Sequence, residues 1–137
     1  MGSNLIRHLC VSMLLVSAQG LNIKTADQSV QTVEMTARKY EFSPSPVHVK
    51  LGMKIQLKIT ATDRDHGFTI VRDPIGDDTS PHPGLAFTSP SDGWRLKRGK
   101  ETIIEFVARV PGTYEFNCSL VCGLHHGRMK GRLVVDP

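Results

Sequence analysis

Apolar and polar residues alternate along positions 53–61, and this alternation constrains the fold more than any other feature of the chain. Every second residue is apolar, with lysine, glutamine or threonine between: Met53, Ile55, Leu57, Ile59 and Ala61. Because successive side chains of a strand point to opposite faces, a period of two predicts a strand with one buried and one solvated face. Ile104, Phe106 and Ala108 repeat the pattern.

Other stretches rich in β-branched and aromatic residues predict further strands at 33–42, 67–71, 113–118 and 131–135. Proline and glycine mark turns between them. A sustained period of 3.6 residues, which would predict a helix, is not found. The sequence therefore predicts an all-β sandwich or barrel.

Positions 72–93 interrupt this rhythm. They are rich in proline, glycine and aspartate and show no alternation, which predicts a long loop. Such a loop inside a compact domain is often functional, but an uninvolved surface insertion fits the sequence equally well.

The composition is that of one globular domain. The chain has 137 residues, of which 39% are hydrophobic and 22% charged. The net charge of +4 is spread along the sequence rather than clustered, and aromatic residues do not alternate with the basic ones. We therefore expect no nucleic-acid binding.

Residues 1–20 have the pattern of an export segment. A weakly basic start precedes an apolar run at 9–18, and small residues follow as a cleavage site. The run is about half of the ~20 residues that a membrane-spanning helix needs, so we expect no membrane association beyond this segment. The prediction is a signal peptide at 1–20, which contains Cys10, and a domain at 21–137 that works in the periplasm or elsewhere outside the cytoplasm.

Four potential metal ligands stand within the twelve residues of positions 118–129. Cys118, Cys122, His126 and Met129 have the spacing C-x3-C-x3-H-x2-M. Thiolate and thioether are soft donors that select Cu(I) and related metals, and imidazole suits copper in either oxidation state. The motif therefore predicts a copper site.

The geometry of this motif is predicted to be a loop. Its spacing would align the donors on a helix, but Gly123 and Gly127 disfavour one and would let the backbone turn tightly. His125 competes with His126, and the spacing to Cys122 and Met129 favours His126. His66, in a predicted loop before Gly67, is the best candidate for a fifth donor.

The second thiolate decides between kinds of site. One cysteine with two histidines and a methionine would make a mononuclear blue-copper site, whereas two thiolates allow both sulfurs to bridge two copper ions. Such a pair spreads the charge of one electron and leaves no position for a substrate. Zinc would leave Met129 unused, and a disulfide between Cys118 and Cys122 would explain neither the histidine nor the methionine.

The chain resembles the cupredoxins that carry a binuclear CuA centre, as in the soluble domain of cytochrome c oxidase subunit II and the CuA domain of nitrous oxide reductase. The resemblance rests on Asp65-His66-Gly67-Phe68, on Pro111-Gly112-Thr-Tyr-Glu-Phe, on positions 118–129 and on Gly131-Arg-Leu-Val-Val. It implies a cupredoxin-like Greek-key β-sandwich or barrel that covers most of positions 33–135.

The resemblance also implies the ligand set. Cys118 and Cys122 would bridge two coppers. His66 and Met129 would complete one site, and His126 with the backbone carbonyl of Leu120 would complete the other.

Two features depart from subunit II. That family usually has a glutamate where this chain has Leu120, and its carboxylate also reaches a magnesium ion, which leucine cannot do. The two long apolar helices that tether subunit II are missing as well. Together they favour a free-standing relative. Trp94 is not assigned an electron-transfer role, since packing explains it at least as well.

These observations predict a one-electron carrier rather than an enzyme, with a cytochrome or terminal oxidase as redox partner and no small-molecule substrate. Such a carrier could also be described as a domain like that of cytochrome c oxidase subunit II. The alternative is a periplasmic protein that binds or delivers copper for oxidase assembly, and a third possibility is a thiol-disulfide sensor at Cys118 and Cys122. Arg64, Arg128 and Lys130 flank the site and favour an acidic partner.

Overall fold

The structure, a computed structural model, describes residues 29–77, 79, 81–89 and 92–137. The predicted export segment at 1–20 lies outside the described residues, so its cleavage and the start of the domain at 21 stay predictions. Within the described part, no helix is long and apolar enough to cross a membrane.

The described residues form two five-stranded sheets that pack face to face. The strands are β1 (Val30–Arg38), β2 (Glu41–Ser43), β3 (Val47–Lys50), β4 (Lys54–Ala61), β5 (His66–Ile70), β6 (Leu85–Phe87), β7 (Trp94–Leu96), β8 (Glu101–Ala108), β9 (Gly112–Asn117) and β10 (Lys130–Asp136). The strand order is β2-β1-β4-β8-β6 in one sheet and β3-β10-β9-β5-β7 in the other. The chain crosses repeatedly between the sheets, which confirms the predicted all-β sandwich.

The alternation at 53–61 corresponds to β4, at the centre of the first sheet. Ile55, Leu57, Ile59 and Ala61 are fully buried, and the residues between them are half-buried. β8 pairs antiparallel with β4, and Ile104, Phe106 and Ala108 face the same core. Both predictions from the alternation are confirmed, with β4 beginning at Lys54 rather than at position 53.

The predicted single strand at 33–42 is wrong. β1 ends at Arg38, and after a turn at Lys39 and Tyr40 the chain returns as β2, antiparallel to β1. The turn contains neither glycine nor proline, so the usual signals of a hairpin are missing. It lies at the end of the sandwich that carries the predicted ligands, because Lys39 contacts the loop before His66.

The prediction of an uninterrupted loop at 72–93 is also wrong. Leu85–Phe87 form β6, which adds to the first sheet by antiparallel pairing with β8. A three-residue strand is too short for a visible alternation, so the sequence pattern missed it.

Aromatic packing fixes the second sheet against the first. Phe42, Phe68 and Phe116 meet in edge and tilted contacts with ring centroids 5.3–5.6 Å apart. Trp94 begins β7 and packs on Phe68 and Phe87 at centroid distances of 6.1 and 5.3 Å. Trp94 therefore has the packing role that the sequence left open.

Candidate metal centre

Positions 118–129 form the connection between the antiparallel strands β9 and β10. Asn117 pairs with Lys130 across the two strands, and the Cys118 N–H donates a hydrogen bond to the Met129 carbonyl at 3.0 Å. The first and last donors of the motif are therefore neighbours, although eleven positions separate them in sequence. We call residues 118–129 the ligand loop.

His66 reaches the ligand loop from the adjacent strand. It is the first residue of β5, which pairs with β9 through Thr69 and Asn117, so the prediction that it lies in a loop is wrong. The His66 side chain is fully buried, and the Gly67 N–H approaches Cys118 Sγ at 3.4 Å. A glycine is needed here, because a Cβ on Gly67 would lie 2.7 Å from the Leu120 backbone nitrogen.

The structure brings all six predicted donors together around the two sulfurs. Cys118 Sγ and Cys122 Sγ are 3.7 Å apart. On the Cys118 side, His66 Nδ1 lies at 4.0 Å and the Leu120 carbonyl oxygen at 3.1 Å from Sγ. On the Cys122 side, His126 Nδ1 and Met129 Sδ each lie at 3.8 Å from Sγ. Donors from one strand and one loop thus lie around one pair of sulfurs.

The donors differ in their access to solvent. His66, Cys118, Cys122 and Met129 are buried, whereas His126 is half-buried. Burial of sulfur and imidazole excludes water from the inner side of the cluster. The outer side opens at His126 and at Leu120, which is also half-buried.

His125 turns away from the sulfurs. It is exposed, and its ring packs edge-on against Tyr40 at a centroid distance of 5.3 Å. Of the two adjacent histidines, His126 is the one near Cys122, as the spacing predicted.

The ligand loop contains no α-helix, in agreement with the sequence prediction. It ends in a short 3-10 turn at His126–Arg128. Gly123 has φ of +144°, a conformation that favours glycine, and a Cβ there would also meet the Tyr40 hydroxyl at 2.8 Å. Gly127 lies within the 3-10 turn, but its φ is not positive and it has open space around it, so the turn does not require a glycine there.

Asp63 orients His66, a role that sequence reasoning missed. The His66 Nε2–H donates to Asp63 Oδ1 at 2.7 Å, which leaves Nδ1 directed at Cys118. Burial raises the pKa of the Asp63 carboxyl, but hydrogen bonds from His66 and from the Lys39 and Arg64 backbone N–H groups outweigh it and lower the pKa to about 2. A carboxylate three residues before a candidate histidine was the available signal.

The sequence indicates Arg64 only as a charge near the site, but in the structure Arg64 contacts the ligand loop directly. Its Nη1 donates to the Cys122 carbonyl at 2.9 Å. Burial raises the pKa of the Cys122 thiol, the Cys118 thiol beside it raises it further, and the Arg64 charge opposes both. Metal binding at this pair would therefore displace protons.

The donor set fits a soft metal better than it fits a disulfide. Both cysteines are free, and their 3.7 Å separation is well above the ~2.05 Å of a disulfide bond. His66, Cys118 and Cys122 place their ligand atoms within 4.8 Å of one another. Two thiolates, a thioether and two imidazoles are the ligand types that suit copper.

The chain is similar in sequence to two known proteins over most of its length. Cytochrome c oxidase subunit 2 of Thermus thermophilus is 29% identical over 104 residues, which cover 76% of this chain and 64% of that protein. Nitrous-oxide reductase of Stutzerimonas stutzeri is 26% identical over 132 residues, 18% of its length. This chain thus spans less than two thirds of the length of these relatives.

The fold has solved counterparts. The periplasmic domain of subunit II of the cytochrome oxidase of Bradyrhizobium japonicum superposes with a TM-score of 0.59 at 16% identity, covering 77% of this chain and 83% of that one. That identity supports likeness of fold alone.

The sequence model of the cupredoxin-like domain family matches residues 9–135, nearly the whole chain. Cys118, Cys122 and the nearby His66 all lie within this match. The predicted resemblance is confirmed: the chain belongs to the family of cupredoxin-like domains and is homologous to cytochrome c oxidase subunit 2 and to nitrous-oxide reductase.

Proposed function

We propose that this chain is a one-electron carrier with a binuclear copper centre of the CuA type. The observation that carries the proposal is the pair of buried, free sulfurs 3.7 Å apart, with four further donors each within 4.0 Å of one sulfur. A mononuclear site would leave part of this set unused.

The distribution of donors supports two ions rather than one. His66 lies beside Cys118 and Met129 beside Cys122, so an ion held by both would also meet both sulfurs. The same holds for the Leu120 carbonyl beside Cys118 and His126 beside Cys122. In each proposed pair, one donor therefore lies beside Cys118 and the other beside Cys122, which is the arrangement that two bridging thiolates require.

A copper pair bridged by two thiolates would supply reversible one-electron exchange with the charge change shared between the ions. The residues of this chain supply a rigid, dry enclosure for it. Cys118 and Met129 are tied to each other by a backbone hydrogen bond between β9 and β10, and His66 is fixed by Asp63. We infer no enzymatic activity, because the proposed ligands leave no position for a substrate.

The proposed partner is a redox protein such as a cytochrome or a terminal oxidase. Val121 and Leu124, which flank Cys122 in the ligand loop, are 78% and 99% exposed. Arg64 donates to the Cys122 carbonyl between them, and the exposed Arg128 and Lys130 follow in the sequence. An apolar surface at the half-buried His126 with basic residues around it suits a partner with an acidic rim.

Delivery of copper to an oxidase during assembly is the second candidate. One observation favours it: the His126 donor is partly open to solvent, which would let a recipient protein reach the metal. The two functions differ in how firmly copper is held.

We propose that the protein works outside the cytoplasm, in the periplasm where the chain comes from a bacterium with two membranes. The apolar run at 9–18 supports this location. Mass spectrometry of the exported protein would test it, with cleavage near residue 20 expected.

A copper titration tests the proposed function. We expect two copper ions per chain with loss of both free thiols, and a Cys122→Ser variant that binds at most one ion. Ser119→Ala, a neighbouring change outside the donor set, is the matched control and should still bind two. A chelator competition then separates the candidates, since a carrier should keep its copper through repeated oxidation and reduction whereas a delivery protein should release it.

A further inference from the structure

The three residues that precede His66 connect three separate segments at the ligand end of the sandwich. Asp63, Arg64 and Asp65 follow β4 and lie between the β1–β2 turn, the ligand loop and the segment after β7. Each makes a different connection, so the segment joins parts of the chain that are distant in sequence.

Asp63 and Asp65 hold this segment in place through hydrogen bonds. Asp63 Oδ2 accepts the Lys39 N–H at 2.8 Å, and Asp65 Oδ1 accepts the Arg98 N–H at 2.9 Å. Arg95 Nη2 adds a hydrogen bond to Asp65 Oδ2 at 3.1 Å. Arg64 therefore stands between two residues that are each bonded to the backbone of another segment.

From this segment, Arg64 reaches the middle of the ligand loop. The ends of the loop are fixed by β9, β10 and the hydrogen bond from Cys118 to Met129, but Val121 and Leu124 in its middle are exposed. The Arg64 guanidinium bonds the carbonyl of Cys122, which lies between those two residues.

We propose that Arg64 is a positioning residue that holds the middle of the ligand loop against the segment carrying His66. Arg64 and His66 are two residues apart, so the bond to the Cys122 carbonyl fixes the Cys122 backbone relative to the His66 ring. The significance of this for copper rests on the proposed function, but the effect on the loop itself does not.

The experiment compares Arg64→Met, which removes charge and donor, with Arg64→Lys, which keeps a charged donor. Arg109→Met is the matched control. Arg109 is exposed and follows β8, whose residue Val107 pairs with Lys54, at the opposite end of β4 from Ala61 and the ligand loop. Amide hydrogen exchange of residues 119–128 in metal-free protein reports on the loop, and exchange in β4 and β8 reports whether the variant is folded.

For Arg64→Met we expect at least about tenfold faster exchange in the loop with no change in β4 and β8, and about tenfold faster loss of copper to a chelator. Arg64→Lys should recover part of both effects, and Arg109→Met should show neither. Unchanged loop exchange in Arg64→Met would overturn the proposal, as would an equal effect in Arg109→Met.

Copper loading of the unaltered chain distinguishes the two proposals. If that chain binds no copper while Arg64→Met still accelerates loop exchange, the proposed function fails and the positioning role stands. If copper binds but loop exchange is the same in both proteins, the function stands and the positioning role fails.

Discussion

At the scale of single residues, the candidate centre depends on which atoms face the two sulfurs. Asp63 fixes one nitrogen of His66 so that the other points to Cys118. Of the two adjacent histidines, His125 packs on Tyr40 and His126 lies beside Cys122. The burial of these donors decides their chemistry as much as their identity does. Met129 is fully buried, with its thioether sulfur 3.8 Å from Cys122 Sγ, so a soft donor faces the sulfur pair away from water.

The adjacent histidines give a matched pair of substitutions. His126→Ala removes a proposed ligand, so we expect loss or strong alteration of one of the two copper sites. His125→Ala removes only a ring contact with Tyr40 and should retain two copper ions. Copper content and the visible spectrum of the loaded variants measure this, and equal behaviour of the two would contradict the assignment.

The donors of the ligand loop could be predicted from the sequence because the loop is continuous and its spacing is short. His66 could be proposed as well, since a histidine before a glycine stands out near the end of a long strand. The role of Arg64 could not be assigned, because its contact with Cys122 depends on how the loop after β4 meets a residue 58 positions further along. Asp63 lies only three residues before His66, but the spacing alone does not show that its carboxylate faces the imidazole.

At the scale of elements, the close approach of β5 to the ligand loop is the critical packing feature. Gly67 allows it: a Cβ there would meet the Ser119 hydroxyl and would also lie 2.7 Å from Leu120 N and 3.0 Å from Ser119 N, two backbone atoms that cannot move independently of the loop. The strand and the loop are therefore coupled at the point where both carry donors.

Substituting the two glycines that follow a histidine donor tests this coupling. Gly67→Ala should displace the ligand loop, destabilise the fold by roughly 1–3 kcal/mol and weaken copper binding. Gly127→Ala has open space and an ordinary φ, so we expect a change within about 0.5 kcal/mol. Chemical denaturation and copper titration of both variants check this. Equal tolerance at the two positions would argue against a close contact.

Tyr114 anchors the start of β9, the strand that leads into the ligand loop. Its hydroxyl donates to the Val110 carbonyl at 2.6 Å, and burial, with the charges of Asp73 and Asp77, raises its pKa to about 12. A phenol with a raised pKa stabilises the fold below its unfolded pKa near 10.0, and this contribution is lost as the pH rises to about 12.

Tyr114→Phe should therefore lower the free energy of unfolding by about 1 kcal/mol at neutral pH and remove part of the fall in stability above pH 10. Tyr40→Phe is the control, since Tyr40 is the other tyrosine of the chain. Denaturant unfolding at several alkaline pH values measures both. An undiminished alkaline loss in Tyr114→Phe would show that another group causes it.

The strands with clear alternation could be predicted because β4 and β8 each bury one face along eight residues. The hairpin at Lys39 and Tyr40 and the short strand β6 could not, because each is fixed by its partner strand and not by a local pattern. Tertiary pairing, which a single sequence does not display, decides those elements.

At the scale of the whole molecule, the proposed ligands gather at one end of the sandwich. The cupredoxin-like fold brings the β1–β2 turn, the segment before His66 and the ligand loop to that end, where Val121 and Leu124 are exposed. Arg64 contacts the loop, and the exposed Arg128 and Lys130 lie at its C-terminal end. The net charge of +4 reinforces attraction to an acidic surface.

Salt should therefore weaken the encounter. We expect the second-order rate constant for electron transfer with an acidic c-type cytochrome to fall by roughly tenfold between about 10 and 200 mM salt, as screening shortens from ~30 Å to under ~10 Å. A basic cytochrome serves as control and should react slowly at low salt. A rate with the acidic partner that does not depend on ionic strength would exclude electrostatic docking.

Electron paramagnetic resonance of the copper-loaded, partly oxidised protein tests the central proposal most directly. We predict a spectrum in which one unpaired electron couples equally to two copper nuclei, because Cys118 and Cys122 together would hold both ions. Coupling to a single copper nucleus would contradict the account.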